Sequence, residues 1–311
     1  MKKILFCGVA AIMIAVSSLT IDSCKKDKTA LADSTDDTEL YASDDAKVES
    51  EANQALEDVN TAINVSGTFS GKTDALPCGA SIDTSQKADG IIVLTFDGTT
   101  KCVNESRTRS GKIKIQLLGG MHWMEKGATI AVTFTDYKVT RLADNKSITF
   151  NGSHSVTNVN GGLVLKMMVG DTIVRKIRAD MSITFDDNST RKWQAARTHT
   201  YTLNNTELSI STKGDTTIGG VANIAVIGEN RKGLPFAVVI SKAVVVNSSC
   251  GWHHPVSGIR IHNKGGGSGH EITVTYGVDA NGNEVSTGCP EYYKLNWTNK
   301  KKEQKELIKK Y

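Results

Sequence analysis

Proline is scarce in this chain, four in 311 residues, and aromatic side chains make up only 6%. No apolar run reaches the roughly 18 residues that a membrane-crossing helix needs. The longest, Ile4 to Val16, is interrupted by Cys7 and Gly8 and closed by Asp22 and Lys25. The signatures of several common chemistries are also missing. There is no nucleophile elbow, no HExxH and no convincing carboxylate pair. Gly265-Gly266-Gly267-Ser268-Gly269 lacks the lysine and following helix of a phosphate loop, so it reads as a turn. Helical patterns between the strand-like runs are absent too, which argues against parallel βαβ units.

What is present begins with an address. Lys2 and Lys3 precede the apolar run, small and polar residues follow, and Cys24 closes the segment. This is the layout of a secretory signal peptide over residues 1–23, and Cys7 leaves with it. Leu19-Thr20-Ile21-Asp22-Ser23-Cys24 resembles a bacterial lipobox, which implies cleavage before Cys24 and lipid on its thiol. Two or more acyl chains, at about 0.8 kcal/mol per buried CH₂, anchor a protein stably. Lys25-Lys26-Asp27 resembles the charged tract after the lipid cysteine in lipoproteins of the Bacteroidota. That resemblance implies an outer-membrane lipid anchor, with the cell surface favoured over the periplasmic face.

Residues 24–38 read as a disordered acidic tether. Over 39–63, Leu40, Val48, Ala52, Ala55, Leu56, Val59 and Ile63 recur at spacings of three and four, with no Gly or Pro. The spacing predicts one amphipathic helix, its apolar stripe docked on the body that follows. From 64 to 298 the pattern is strands. Expected runs include Ile91–Phe96, Lys112–Leu118, Thr129–Val139, Leu163–Val169, Thr172–Phe185, Glu207–Thr212 and Phe236–Val246. Val256–Ile261, Glu271–Tyr276 and Tyr292–Trp297 complete them. Lys112 to Leu117 alternates polar with aliphatic, the mark of a sheet wet on one face. The fold class expected is all-β: a large antiparallel sheet or β-sandwich-like body after one N-terminal helix. The lysine-rich tail, 299–311, reads as a solvated, partly helical extension.

Charge is unevenly spread. Lys25 to Asp58 carries eleven acidic residues and four lysines, whereas Val59 to Tyr311 carries 31 basic and 21 acidic residues. The basic body lacks an interleaved arginine and aromatic stripe, so no nucleic-acid partner is expected and a solvated mixed-charge surface is.

Four cysteines remain after Cys7 and Cys24, an even number in an oxidising compartment. Cys78-Gly79 and Cys250-Gly251 each open a cysteine–strand–turn–strand–cysteine unit. The ends of a hairpin come within disulfide reach, so Cys78–Cys102 and Cys250–Cys289 are expected out of three connectivities. Cys78-Gly79, Ile91 to Gly98, Cys102, Arg107 to Ile113, Arg191-Lys192-Trp193 and Ser257-Gly258-Ile259 resemble an all-β envelope lipoprotein family of the Bacteroidota. The resemblance implies no particular activity.

Candidate chemistry is thin. Cys250, His253 and His254 have metal or nucleophile chemistry, but neighbours on a strand face opposite ways and the cysteine has a disulfide partner. Asp279 to Glu284 starts like a calcium loop but has Pro290 where the closing glutamate belongs, so a hairpin tip is expected. Trp123 and Trp252 would serve as sugar-stacking platforms if exposed; Trp193 and Trp297 look like core. The reading is a non-enzymatic, membrane-anchored structural or interaction module without cofactor or metal. Its partners are the membrane, through lipid on Cys24, and an envelope protein or glycan; surface glycan binding is the alternative function.

Overall fold

A computed structural model describes residues 35–65, 76–102, 106–120, 122–252, 254–264, 270–298 and 302–311. The leader, Cys24, the first part of the tether, His253 and Gly265 to Gly269 lie outside these. One helix, α1 (Thr35–Val65), precedes the strands. They are β1 (Ala80–Asp83), β2 (Ile91–Asp97), β3 (Arg107–Leu118), β4 (Thr129–Arg141), β5 (Ser147–Asn158), β6 (Thr172–Phe185), β7 (Thr190–Asn204) and β8 (Glu207–Gly214). The second half holds β9 (Thr216–Ile218), β10 (Val221–Glu229), β11 (Pro235–Asn247), β12 (Pro255–Lys264), β13 (His270–Val278), β14 (Tyr292–Thr298) and β15 (Gln304–Lys310).

All belong to one sheet, in which each strand pairs antiparallel with the next along the chain. The one departure is at β8. It pairs with residues 197–204 of β7, while β10 pairs with residues 192–195 of the same strand. The two also share β11 as their other neighbour. They are therefore two halves of a single lane, with β9 pairing on β10 as the chain steps out between them. The sheet is an uninterrupted meander, the single-sheet form of the expected all-β class.

Alternation does the folding. Along β6 every second residue from Ile173 to Phe185 is buried, and along β7 every second one from Arg191 to Tyr201. Those faces look onto α1, and the sheet curls around the helix, because β3 and the distant β12 both make ion pairs with it. Bulges bend the lanes. At one of them Gly111, with φ of +92°, leaves the ladder opposite Asp136, whose carbonyl would overlap any Cβ there. Val48, Val59 and Ile63 of the α1 stripe are fully buried, as the spacing predicts. Each such side chain contributes about 1.5–3 kcal/mol.

Both disulfides form as expected, with Cα separations of 5.8 Å for Cys78–Cys102 and 5.2 Å for Cys250–Cys289. They staple the β1–β2 and β12–β13 hairpins. Three expectations need correction. Residues 163–169 are not a strand: a single 3₁₀ turn, Val164–Lys166, lies in a loop that leaves Leu165, Met168 and Val169 exposed. The tail is not a helical extension. It forms edge strand β15, with Leu307 opposite Leu295, and lysines suit an edge because they block further pairing. The helix also starts earlier than residue 39, inside the stretch read as tether.

Candidate functional site

The curled sheet does not enclose a purely apolar core. The inward positions of its strands carry arginines, and α1 supplies the carboxylates. Asp45, Glu49, Glu51 and Asp58 are buried, and so are Arg107, Arg109, Arg191, Arg197 and Arg260. On one flank of α1, Glu51 pairs with Arg107, and Asp58 with Arg109 at 2.5 Å. On the other, Asp45 pairs with Arg191 at 2.6 Å. Glu49 lies between two arginines, bound by both terminal nitrogens of Arg260 and by Arg197 at 3.1 Å. Asp44 reaches the half-buried Arg231 at 2.6 Å. The rings add a second layer: the Arg191 guanidinium lies 4.2 Å from the centre of Phe236, and that of Arg197 4.9 Å from Trp193.

These charges fix one another. Burial alone would raise the Asp45 carboxyl, but the charges of Arg191, Arg260 and Arg197 hold it below the usual carboxylate range. Burial alone would lower Arg260; the Glu49 carboxylate keeps it above its ordinary value. Histidines caught among the arginines behave oppositely. Burial, reinforced by Arg197, pushes His154 and His199 down to about 3. Burial brings His262 to about 4 despite the nearby Asp45 carboxylate. All three are neutral imidazoles at neutral pH.

Beside this lattice, α1 does not touch the sheet everywhere. A cavity of about 910 Å³, counted out to its opening, lies between the helix and the second half of the meander. Its helical wall carries short side chains. Ala42, Ala46, Ser50 and Asn53 face it from α1. Across from them runs a rung of the sheet. His199 is paired with Thr212, Thr212 with Val244, and Gly258 with Tyr276, which pairs in turn with Tyr293. Gly258, with φ of +129°, approaches Val244 so closely that a Cβ would come within 2.6 Å of its Cα. Ile210, Val244, Val246 and Val274 give that wall its aliphatic part. Half-buried Trp252, Tyr293 and Tyr311 stand at the rim. The polar members are Ser50, Asn53, His199, Thr212, Glu57 and the Glu49–Arg260 pair, together with the tyrosines Tyr276, Tyr293 and Tyr311.

The chain matches no protein-family model, no curated protein and no solved structure. The site is therefore read from its own geometry.

The structure sorts the residues singled out by sequence. Trp252 lines the cavity. Trp123 does not qualify as a sugar platform: it is 1% exposed, its ring lies under Arg175, and its carbonyl accepts a bond from the buried Asn158 amide. Trp193 and Trp297 are buried, as read. Cys250 is consumed in its disulfide, and His254 stacks on Tyr311. Asp279 accepts backbone bonds from Asn281 and Asn283, which makes that segment a self-capped turn. Among the described residues no group of three or more His, Cys, Asp or Glu stands close enough to hold a metal ion, and no helix is long and apolar enough to cross a membrane.

The buried acids and arginines were not anticipated as a site. Their signal was in the sequence: Arg107 and Arg109, or Arg191, Trp193, Arg197, His199 and Tyr201, keep the period of two of one strand face.

Proposed function

We propose that this protein is a membrane-anchored, non-enzymatic binding module of the cell envelope, held at the outer membrane by lipid on Cys24, and that it takes its ligand in the cavity beside α1. One observation carries the reading. The cavity is mostly apolar, with a few convergent polar groups, and its helical wall is locked by buried ion pairs. A preformed concave site of that composition is the usual form of a small-ligand pocket. The lipobox-like segment supports the address, and the charged tract after Cys24 supports the surface-facing orientation.

A second reading has one specific observation in its favour. Trp252, Tyr293 and Tyr311 bring three half-buried aromatic rings to the rim, an arrangement suited to stacking on a sugar. Glycan binding at the cell surface is therefore the alternative.

Two measurements test the proposal. Cys24→Ser should move the protein from the membrane pellet to the soluble fraction, and unchanged partitioning would remove the lipid anchor. Calorimetry of the full chain against one panel of soluble glycans and one of lipophilic small molecules should give saturable heat with one class. Flat titrations throughout would remove the binding module, and turnover of any panel member would remove its non-enzymatic character.

A further inference from the structure

The cavity has a shape and an electrostatic character that narrow its ligand. Its helical wall runs from Ala42 to Glu57, which at 1.5 Å per residue is about 22 Å along the axis. Ala42, Ala46, Ser50 and Asn53 keep that wall low along this length. The lining is apolar over most of its surface, aliphatic and aromatic together. Its charges are already committed, Glu49 to Arg260 and Arg197, while Glu57 accepts a bond from the Asn60 amide at 3.2 Å. An anionic group entering here would face the Glu49 and Glu57 carboxylates. A cationic group would face Arg260. In either case a buried ion without its own partner costs heavily. Polar capacity remains at His199. Its ring is neutral and 4% exposed, and its Nε2 has no hydrogen-bond partner among the described residues.

We propose that the cavity binds an uncharged amphiphile: a slender apolar chain laid along α1, with a neutral hydroxyl- or carbonyl-bearing head hydrogen-bonded near His199 and Thr212. This rests on the binding-module reading and specifies its ligand. It separates the site from a glycan platform, which needs many polar contacts, and from a fatty-acid site, which needs an unpaired cation.

The test uses the full chain carrying Cys24→Ser, which needs no detergent, and the uncharged fluorophore N-phenyl-1-naphthylamine. Fluorescence should rise saturably. Monopalmitoylglycerol should displace the probe at a concentration about tenfold lower than palmitate, the difference being the cost of burying an unpaired carboxylate. Ala46→Trp, which fills the helical wall, should abolish uptake with the urea midpoint retained. Val246→Phe fills the strand wall without altering the helix and should give the same loss. Absence of a saturable rise overturns the proposal, as does stronger displacement by palmitate or uptake that survives both filling variants. Saturable glycan heat without probe uptake overturns the ligand class and leaves the binding module standing. No binding of either class removes both.

Discussion

Glu49 is the carboxylate on which the interior depends most. It lies between Arg260 and Arg197, and the three side chains are each less than a tenth exposed. Glu49→Gln keeps the shape and removes the charge. Two guanidinium groups then remain buried side by side, with Asp45 the nearest carboxylate to Arg260 at 3.8 Å. Removing one partner of a buried pair costs about 3–5 kcal/mol, because the other ion stays desolvated without compensation. For a body of this size that corresponds to a fall in Tm on the order of 10 °C. The assay is equilibrium urea unfolding, with the midpoint falling and the m-value unchanged. A matched control is Glu229→Gln. Its partner Lys192 is 70% exposed and Glu229 itself 45%, so solvent screens the pair and the loss should stay below about 1 kcal/mol. Salt separates the two further: 1 M NaCl should erase the Glu229 effect and leave the Glu49 effect intact. Replacing Glu49, Arg197 and Arg260 together by methionine should recover part of the stability, since an apolar substitute carries no desolvation cost and Asp45 keeps its pair with Arg191. An E49Q loss no larger than that of Glu229→Gln would refute the argument that these charges are held out of water.

Acid should weaken the fold earlier than carboxylate titration alone would. His154, His199 and His262 have folded pKa values of about 3 to 4, against about 6.5 unfolded, so the unfolded chain binds more protons. Their contribution is complete above pH 6.5 and is lost as pH falls toward 4, with a combined slope of up to about 4 kcal/mol per pH unit. His154 packs between Phe134 and Trp193, and neither ring nitrogen has a hydrogen-bond partner among the described residues. His154→Phe should therefore flatten Tm against pH between 6.5 and 4 and raise Tm at pH 5; an unchanged profile would count against a buried neutral imidazole. Cys289→Ser opens the loop of 39 residues closed with Cys250 and should cost about 3–4 kcal/mol, read as a urea midpoint below that of the oxidised chain and above that of the fully reduced chain, which also loses Cys78–Cys102. Deleting residues 304–311 removes β15 and the Tyr311 hydroxyl that donates to the Pro255 carbonyl at 2.6 Å. It should lower Tm and speed hydrogen exchange in β14, whose edge becomes unpaired.

Legibility from sequence followed the chemistry of the inward face. Where that face is aliphatic, as in β6 or the second half of β3, the alternation in the sequence matches the burial observed. Strands β5, β7 and β10 are not among the expected runs: the inward positions of the first two hold His154 and Asn158, or Arg191, Arg197 and His199, whereas β10 is aliphatic inside but bulged. A polar residue facing the interior breaks the hydrophobic alternation by which a strand is recognised, and that hides β5 and β7, whereas β12 was legible despite Arg260 because aliphatic residues flank it. The charge asymmetry was equally visible, an acidic segment through Asp58 against a basic body. It was read as a solvated mixed-charge surface because charge usually is solvated. Yet the acids of α1 do not scatter. Glu51 and Asp58 fall seven apart, on one edge of the apolar stripe, and Asp45 and Glu49 fall four apart on the other. Acid on both edges of an apolar stripe means the helix enters its partner beyond the stripe. A partner with arginine at alternate positions then accepts it by charge as well as by packing. What no pattern of this kind foretells is the cavity. It depends on which residues of the sheet the short residues of α1 face, and that follows from how far the sheet curls. Gly258 illustrates the limit. In the sequence it is one of 28 glycines, but in the fold it lies on the rung that faces the gap.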